Sequence, residues 1–277
     1  MARPSSKRTL LWDWTLTRDH DTTPALQSTT TSLAKSPSSR IASITNWNAW
    51  RPPELSADLP FRPMIRTPAQ LEGNEWDMIR GSIDAELQRG DSSTPVIVHT
   101  FNEPERIPLS VADALHLWRT RILPLRQSSN GHLDRVKLVG PACASDPQGS
   151  QWLDAFMDAL TPESDEKPDI LGLHFYTMPD QTSEQGLAAA KTYFTERRAR
   201  FGLPLACTSR DPAVVDQFTR DLSRWLEEEP EQRWVVEYGF FGVMREVADG
   251  FVSPAAQMLD GEGAGTGLGR WWAGLEE

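Results

Sequence analysis

Pro95-Val96-Ile97-Val98-His99-Thr100-Phe101-Asn102-Glu103-Pro104-Glu105 is the stretch that decides how this chain folds. Three aliphatic residues in a row, without polar alternation, fit a strand buried on both faces. The run then breaks into an amide, a carboxylate and a proline, so ionisable chemistry ends an apolar strand. A second stretch repeats the pattern, with Ile170-Leu171-Gly172-Leu173 running into His174-Phe175-Tyr176. Six further short apolar runs read as strands, at 9–14, 40–47, 61–67, 136–144, 205–208 and 233–240. Helical spacing lies between them. Trp76, Ile79, Ile83 and Leu87 share one face of a helix predicted over 75–89. Ser110, three residues before Asp113, opens a helical run through Leu125 as a capping box would. The stretches 150–160 and 211–228 read the same way, and a last short helix is expected over 268–274. Residues 28–39, rich in Ser and Thr, read as a loop or a frayed first helix. Strands alternating with helices predict a parallel sheet, and eight such units close a TIM-type barrel. The expected fold class is α/β, a single (β/α)8 TIM-type barrel forming one domain over 1–277. A doubly wound open sheet is the rival.

Composition narrows the function classes. The 277 residues are 39% hydrophobic and 24% charged, which excludes a disordered chain. Lys plus Arg is 28 and Asp plus Glu is 39, a net charge of −11 that phosphates would repel, so no nucleic-acid partner is expected. No run approaches the roughly 18 apolar residues of a membrane span. The basic start at 1–8 is followed only by Thr9-Leu10-Leu11-Trp12 before Asp13, so no secretory signal is visible in the chain as written. Two cysteines, Cys143 and Cys207, exclude a disulfide framework and leave a single disulfide open. The glycine-rich stretch 260–269 has no strand before it and no Lys-Ser/Thr after it, so it reads as a turn rather than a phosphate loop.

The predicted strand ends carry Trp14, then Asn46 and Trp47, Asn102 and Glu103, His174 and Tyr176, and Glu237 and Tyr238. Aromatic faces, amides, a histidine and carboxylates together suit a sugar. Acetal cleavage needs two carboxyl groups and neither a metal nor a cofactor. Glu103 is the sharpest candidate, as a general acid or, equally, as a rim salt bridge. His174 reads as an orienter of a carboxylate, a binder of sugar hydroxyls, or a satisfied core histidine. His99 reads as structural. Trp118, Trp152 and Trp225 sit at helical spacing and read as core, whereas Trp14 and Trp47 suit either sugar stacking or packing.

Taken as an ordered set, the motifs resemble glycoside hydrolase family 128, the alkali-sensitive-linkage-protein type. They are Lys7-Arg8 with Leu11-Trp12-Asp13-Trp14, Asn46-Trp47-Asn48, Phe61-Arg62-Pro63-Met64, Phe101-Asn102-Glu103-Pro104-Glu105, Leu138-Val139-Gly140-Pro141-Ala142, Trp152-Leu153-Asp154-Ala155-Phe156, the stretch Asp169 to Tyr176, and Tyr238-Gly239-Phe240-Phe241-Gly242. The resemblance implies a (β/α)8 barrel and retaining cleavage of β-1,3-glucan. It makes Glu103 the acid/base and puts Trp47, His174 and Tyr176 in the substrate cleft. A β-glucan polysaccharide or oligosaccharide is the implied partner, the state is expected to be monomeric, and the family usually acts at cell walls.

One departure bears on mechanism. The resemblance puts the nucleophile Glu on the seventh strand, just before Ala206-Cys207-Thr208-Ser209. Here Gly202-Leu203-Pro204 runs straight into Leu205, no carboxylate lies between Glu196 and Asp211, and the seventh strand reads as shortened. Three readings stay open: a gene-model or splicing error, a glucan-binding pseudoenzyme, or another carboxylate in the missing role. Glu237, ending the eighth strand, is the candidate second carboxylate, with a wall of the cleft as its alternative role.

Overall fold

The computed structural model describes residues 6–13, 39–53, 55, 59–89, 94–127, 135–160, 165–178, 180–210, 215–228, 233–247 and 253–276. Trp14 and residues 28–38 of the Ser/Thr-rich stretch lie outside the described residues.

Among the described residues, eight strands follow in order: β1 (Arg8–Leu11), β2 (Ile41–Thr45), β3 (Met64–Ile65), β4 (Val96–Asn102), β5 (Val136–Ala142), β6 (Leu171–Tyr176), β7 (Leu205–Arg210) and β8 (Val235–Phe240). The longer helices are α1 (Gly73–Arg89), α2 (Val111–Leu117), α3 (Pro147–Asp158), α4 (Ser183–Phe201), α5 (Val215–Glu228) and α6 (Gly267–Ala273). All strand pairs are parallel. They form one sheet of order β2-β1-β8-β7-β6 and another of order β3-β4-β5.

Isolated bridges join the two sheets at both seams, Ile44 to Phe61 on one side and Val139 to Ile170 and Cys143 to Leu173 on the other. Arg62 N–H donates to the Ile44 carbonyl at 2.7 Å, and His174 N–H to the Cys143 carbonyl at 3.0 Å. The β5–β6 seam is tight enough to require glycine. A Cβ on Gly172 would sit 2.4 Å from the Gly140 carbonyl oxygen.

The seventh strand is not shortened. It has six residues, as β6 and β8 do, and pairs residue for residue with β6 from Leu171↔Leu205 to Tyr176↔Arg210. The predicted strand ends at Thr208, yet the ladder extends through Ser209 and Arg210. The shortest strand is β3, with two residues. It follows Pro63, which has no N–H to give a ladder. The helical run from Ser110 also differs in detail. Ser110 caps α2 by accepting from Asp113 N–H at 3.1 Å, but α2 gives way to a π-helical stretch, Trp118–Ile122, and a tight turn containing Pro124.

Most of the core lies between strands and helices, with Trp118 and Trp225 buried in it and Trp152 packed against it. Ile97, Val139, Ile170 and Ala206 form a separate cluster. The Lys7-Arg8 pair opening β1 is a clamp. Lys7 Nζ donates to the Leu226 carbonyl at 2.7 Å, and buried Arg8 donates to both carboxylate oxygens of Glu227. Its guanidinium also lies over the rings of Trp271 and Trp272. Among the described residues no helix is long and apolar enough to cross a membrane.

Candidate active site

Three non-glycine residues among those described have positive φ, and all lie at or just beyond the C-terminal ends of strands: Trp47 (58°), Phe101 (37°) and Glu103 (46°). Bulky residues in such conformations cost about 1–3 kcal/mol each, a strain that concentrates at functional sites. Glu103 is held there from both sides. Its N–H donates to the Ala142 carbonyl at 2.8 Å, and Pro104 begins a 3-10 turn, Pro104–Arg106.

The turn delivers the Glu103 carboxylate to two residues of β6. His174 Nδ1–H donates to Glu103 Oε1 at 2.8 Å, and the Tyr176 hydroxyl donates to the same oxygen. His174 and Tyr176 stand two apart on a strand, hence on one face, and are themselves 3.2 Å apart. The Glu103 side chain keeps 22% of its surface exposed while His174 keeps 7%. The structure thus brings Glu103, His174 and Tyr176 together as one group.

Glu237 is held differently. Arg62 Nε donates to its Oε2 at 3.0 Å and His99 Nε2 to its Oε1 at 2.7 Å. Its side chain is only 5% exposed. Burial pushes its pKa up, but the Arg62 charge, the His99 hydrogen bond and the His99 charge outweigh burial and hold the carboxyl at about 2. The ionised form is therefore locked. His99, read as structural, serves to fix Glu237, and Arg62 is a partner that the sequence reading quoted but gave no role.

A cavity at the strand ends is lined by Trp47, His99, Asn102, His174, Ala206 and Glu237, among others. The Trp47 ring meets Phe241 edge-on at 5.1 Å, so Phe241 extends an aromatic wall beyond the expected residue. Asn102 Oδ1 is buried and without a hydrogen-bond partner, an acceptor directed at no group of the protein. Two expected substrate-binding residues have their side chains engaged by the protein, although Tyr238 also borders the cavity. Asn46 is fully buried and spends its side chain on its own loop, donating to the Trp50 carbonyl at 2.9 Å and accepting from Asn48 N–H. Tyr238 neighbours Glu237 on β8, so strand alternation turns its ring to the opposite face, against Phe240 and Trp272. Burial pushes its hydroxyl pKa up. The Asn46 side chain is thus spent within its loop, and the Tyr238 ring packs against core aromatics. Trp14 lies outside the described residues.

Glu105 was quoted only as part of a motif. Its side chain is fully buried, and its Oε1 accepts from Ala144 N–H at 2.9 Å, pinning the end of β5. Cys143 is free and buried, so it is not bridged to Cys207, and burial raises its thiol pKa well above the usual range. Among the described residues no group of three or more His, Cys, Asp or Glu is placed to hold a metal ion.

The β7 wall is the part of the site that differs in kind. Thr208 pairs with His174 on one side and Gly239 on the other, and Arg210 pairs with Tyr176. Every position of β7 is thus filled, and none is a carboxylate.

Residues 14–272 match the model of the glycosyl hydrolase catalytic core. An exo-β-1,3-glucanase of glycoside hydrolase family 128, subgroup VI, from Aureobasidium namibiae shares 32% identity with the chain, with 98% of this chain and 97% of that one aligned at a TM-score of 0.78. The chain is a member of glycoside hydrolase family 128. Two more distant members match this chain in fold. They are a subgroup II endo-β-1,3-glucanase from Sorangium cellulosum (20% identity, 96% of this chain and 97% of that one, TM-score 0.68) and a subgroup I endo-β-1,3-glucanase from Amycolatopsis mediterranei in complex with laminaritriose (16% identity, 98% and 100%, TM-score 0.64). No curated protein matches the chain.

Proposed function

We propose that the cleft binds β-1,3-glucan with Glu103 as the general acid/base. The eight strands close into a (β/α)8 barrel of one domain that works as a monomer. Closure is supported by the hydrogen-bonded bridges at both sheet seams. The substrate class is supported by the family and by the 32%-identical exo-β-1,3-glucanase.

The observation that carries the acid/base role is the convergence of His174 Nδ1–H and the Tyr176 hydroxyl on one Glu103 oxygen. Such donors fix the carboxyl in place and set its proton affinity, as proton transfer to a departing sugar oxygen requires. Trp47 and Phe241 supply apolar faces for pyranose C–H surfaces, and Asn102 Oδ1 offers an acceptor to a sugar hydroxyl. A retaining pair stands about 5–5.5 Å apart. With no carboxylate on β7, the acid/base has no partner on that wall, and hydrolysis should fall several orders of magnitude below that of a complete pair.

The test is to incubate the purified chain with laminari-oligosaccharides, separate the products, and measure binding by calorimetry. Binding with little or no shortening is expected, and should survive Glu103→Gln. No binding by a folded protein would sink the β-glucan reading. A second reading, a glucan-binding protein with no chemistry, is favoured by the same absence on β7 and predicts that Glu103→Gln changes nothing measurable.

A further inference from the structure

We infer that this chain builds β-glucosidic bonds by a single displacement, using glucosyl donors with a small anionic leaving group on the α face of the anomeric carbon. The inference rests on the β-glucan reading above and deepens it by naming a donor class and a direction of reaction.

Three observations carry it. Glu103 is intact, strained into place and bonded by two donors, so the group that handles the proton is present. β7 is a complete six-residue strand that pairs residue for residue with β6 and, after a register shift between Leu205 and Ala206, with β8 as far as Ser209, yet Leu205 through Arg210 contains no Asp or Glu, and Ala206 lines the cleft with a methyl group. Glu237, a carboxylate that lines the cavity, has both oxygens bonded, one by Arg62 and one by His99. Freeing it to attack carbon would leave a guanidinium without its partner in a buried site.

A retaining enzyme first forms an ester between its second carboxylate and C1. A cleft that keeps the acid/base and lacks that carboxylate cannot form the ester from a β-linked chain. It remains suited to a donor whose leaving group already occupies the α side of C1. A hydroxyl oxygen of the acceptor sugar attacks C1 from the β side while the C1–F bond of an α-glucosyl fluoride breaks. Fluoride leaves with the bonding electron pair. Glu103 takes the acceptor's hydroxyl proton and passes it to solvent, so donor plus acceptor gives the β-linked product plus HF. The product then accumulates, because its cleavage would need the missing ester.

The experiment uses the full chain with α-laminaribiosyl fluoride as donor and p-nitrophenyl β-glucoside as acceptor. Fluoride release is followed with an ion-selective electrode and elongated aryl products by chromatography. Acceptor-dependent fluoride release with β-linked products is expected, falling by about 100-fold or more in Glu103→Gln. Thr208→Glu puts a carboxylate two residues beyond Ala206, at the position paired with His174, and should turn accumulation into hydrolysis of laminari-oligosaccharides. Two outcomes would overturn the inference. One is hydrolysis of laminari-oligosaccharides by the unaltered chain, which would place a working nucleophile elsewhere, with Asp211→Asn and Glu237→Gln identifying it. The other is a folded protein that binds laminaritriose by calorimetry and gives no condensation, which would leave the β-glucan reading standing. Failure of laminaritriose to bind would instead remove that reading as well.

Discussion

Glu103, just beyond the end of β4, and Glu237, the third residue of β8, are held in opposite ways. Glu103 sits on strained backbone, keeps a fifth of its side chain exposed, and takes both of its named donors on one oxygen. Glu237 sits on regular strand, is almost fully buried, and takes one donor on each oxygen. The first arrangement leaves the carboxyl partly beside solvent. The second fixes a charge permanently. The contrast teaches that a carboxylate carried by a strand is a candidate for chemistry only when its partners do not fix its charge.

The largest expected effect separates the two directly. Glu103→Gln keeps shape and removes the proton, so glycosyl transfer from the α-fluoride donor should drop by about 100-fold or more with laminaritriose affinity within a few-fold. If Glu237→Gln caused the larger catalytic loss, the roles would have to be exchanged. Glu237→Gln should instead act on stability. Removing one member of a buried ion pair leaves Arg62 uncompensated and typically costs about 3–5 kcal/mol, to be read from urea unfolding. A cost below about 1 kcal/mol would mean that Glu237 is not locked as described.

A subtler change sharpens the Glu103 side. Tyr176→Phe removes one of the two donors on Oε1. Those hydrogen bonds favour the ionised carboxylate, so the variant's Glu103 should hold its proton to higher pH. The pH profile of transfer should therefore shift upward, with kcat reduced and stability changed by no more than about 1.5–3 kcal/mol. An unmoved profile would mean that Tyr176 packs beside Glu103 without tuning it.

Much of this was legible in the sequence, for identifiable reasons. Val96-Ile97-Val98 and Leu171-Gly172-Leu173 announce strands buried on both faces, because such strands leave no polar alternation. Glu103, His174 and Tyr176 could be nominated because ionisable groups stand out at the ends of apolar runs. Their convergence could not, since it depends on the left-handed turn at Glu103 and on β5–β6 spacing set by Gly140 and Gly172. β7 was misread because Ser209 and Arg210 carry no apolar signal, whereas the ladder to β6 gives them a strand's hydrogen bonds all the same. Asn46 and Tyr238 were nominated for their residue type. Period-two alternation next to Glu237 could have placed Tyr238 on the outer face. Nothing in the local sequence could have shown that Asn46 is spent on the Trp50 carbonyl.

The smallest effect tests the Glu237 clamp without touching the cleft's shape. A carboxyl whose pKa is about 2 in the folded chain and near 4.5 otherwise contributes stability that is fully present above pH 4.5. As pH falls from 4.5 toward 2, the unfolded chain takes up a proton that the folded chain refuses, so that contribution drains away. Glu237→Gln has no such proton to take up. Its stability should start lower at neutral pH and fall less steeply across this window, so the two curves should converge in acid. His99→Asn and Arg62→Met should each flatten the wild-type slope in part, because each removes one of the two groups that outweigh burial. Parallel curves for wild type and Glu237→Gln would show that the acid sensitivity of the fold belongs to other carboxylates, with Glu86, whose pKa is lowered by its hydrogen bonds to Arg89 and Arg51 against the opposing effect of burial, the first to examine.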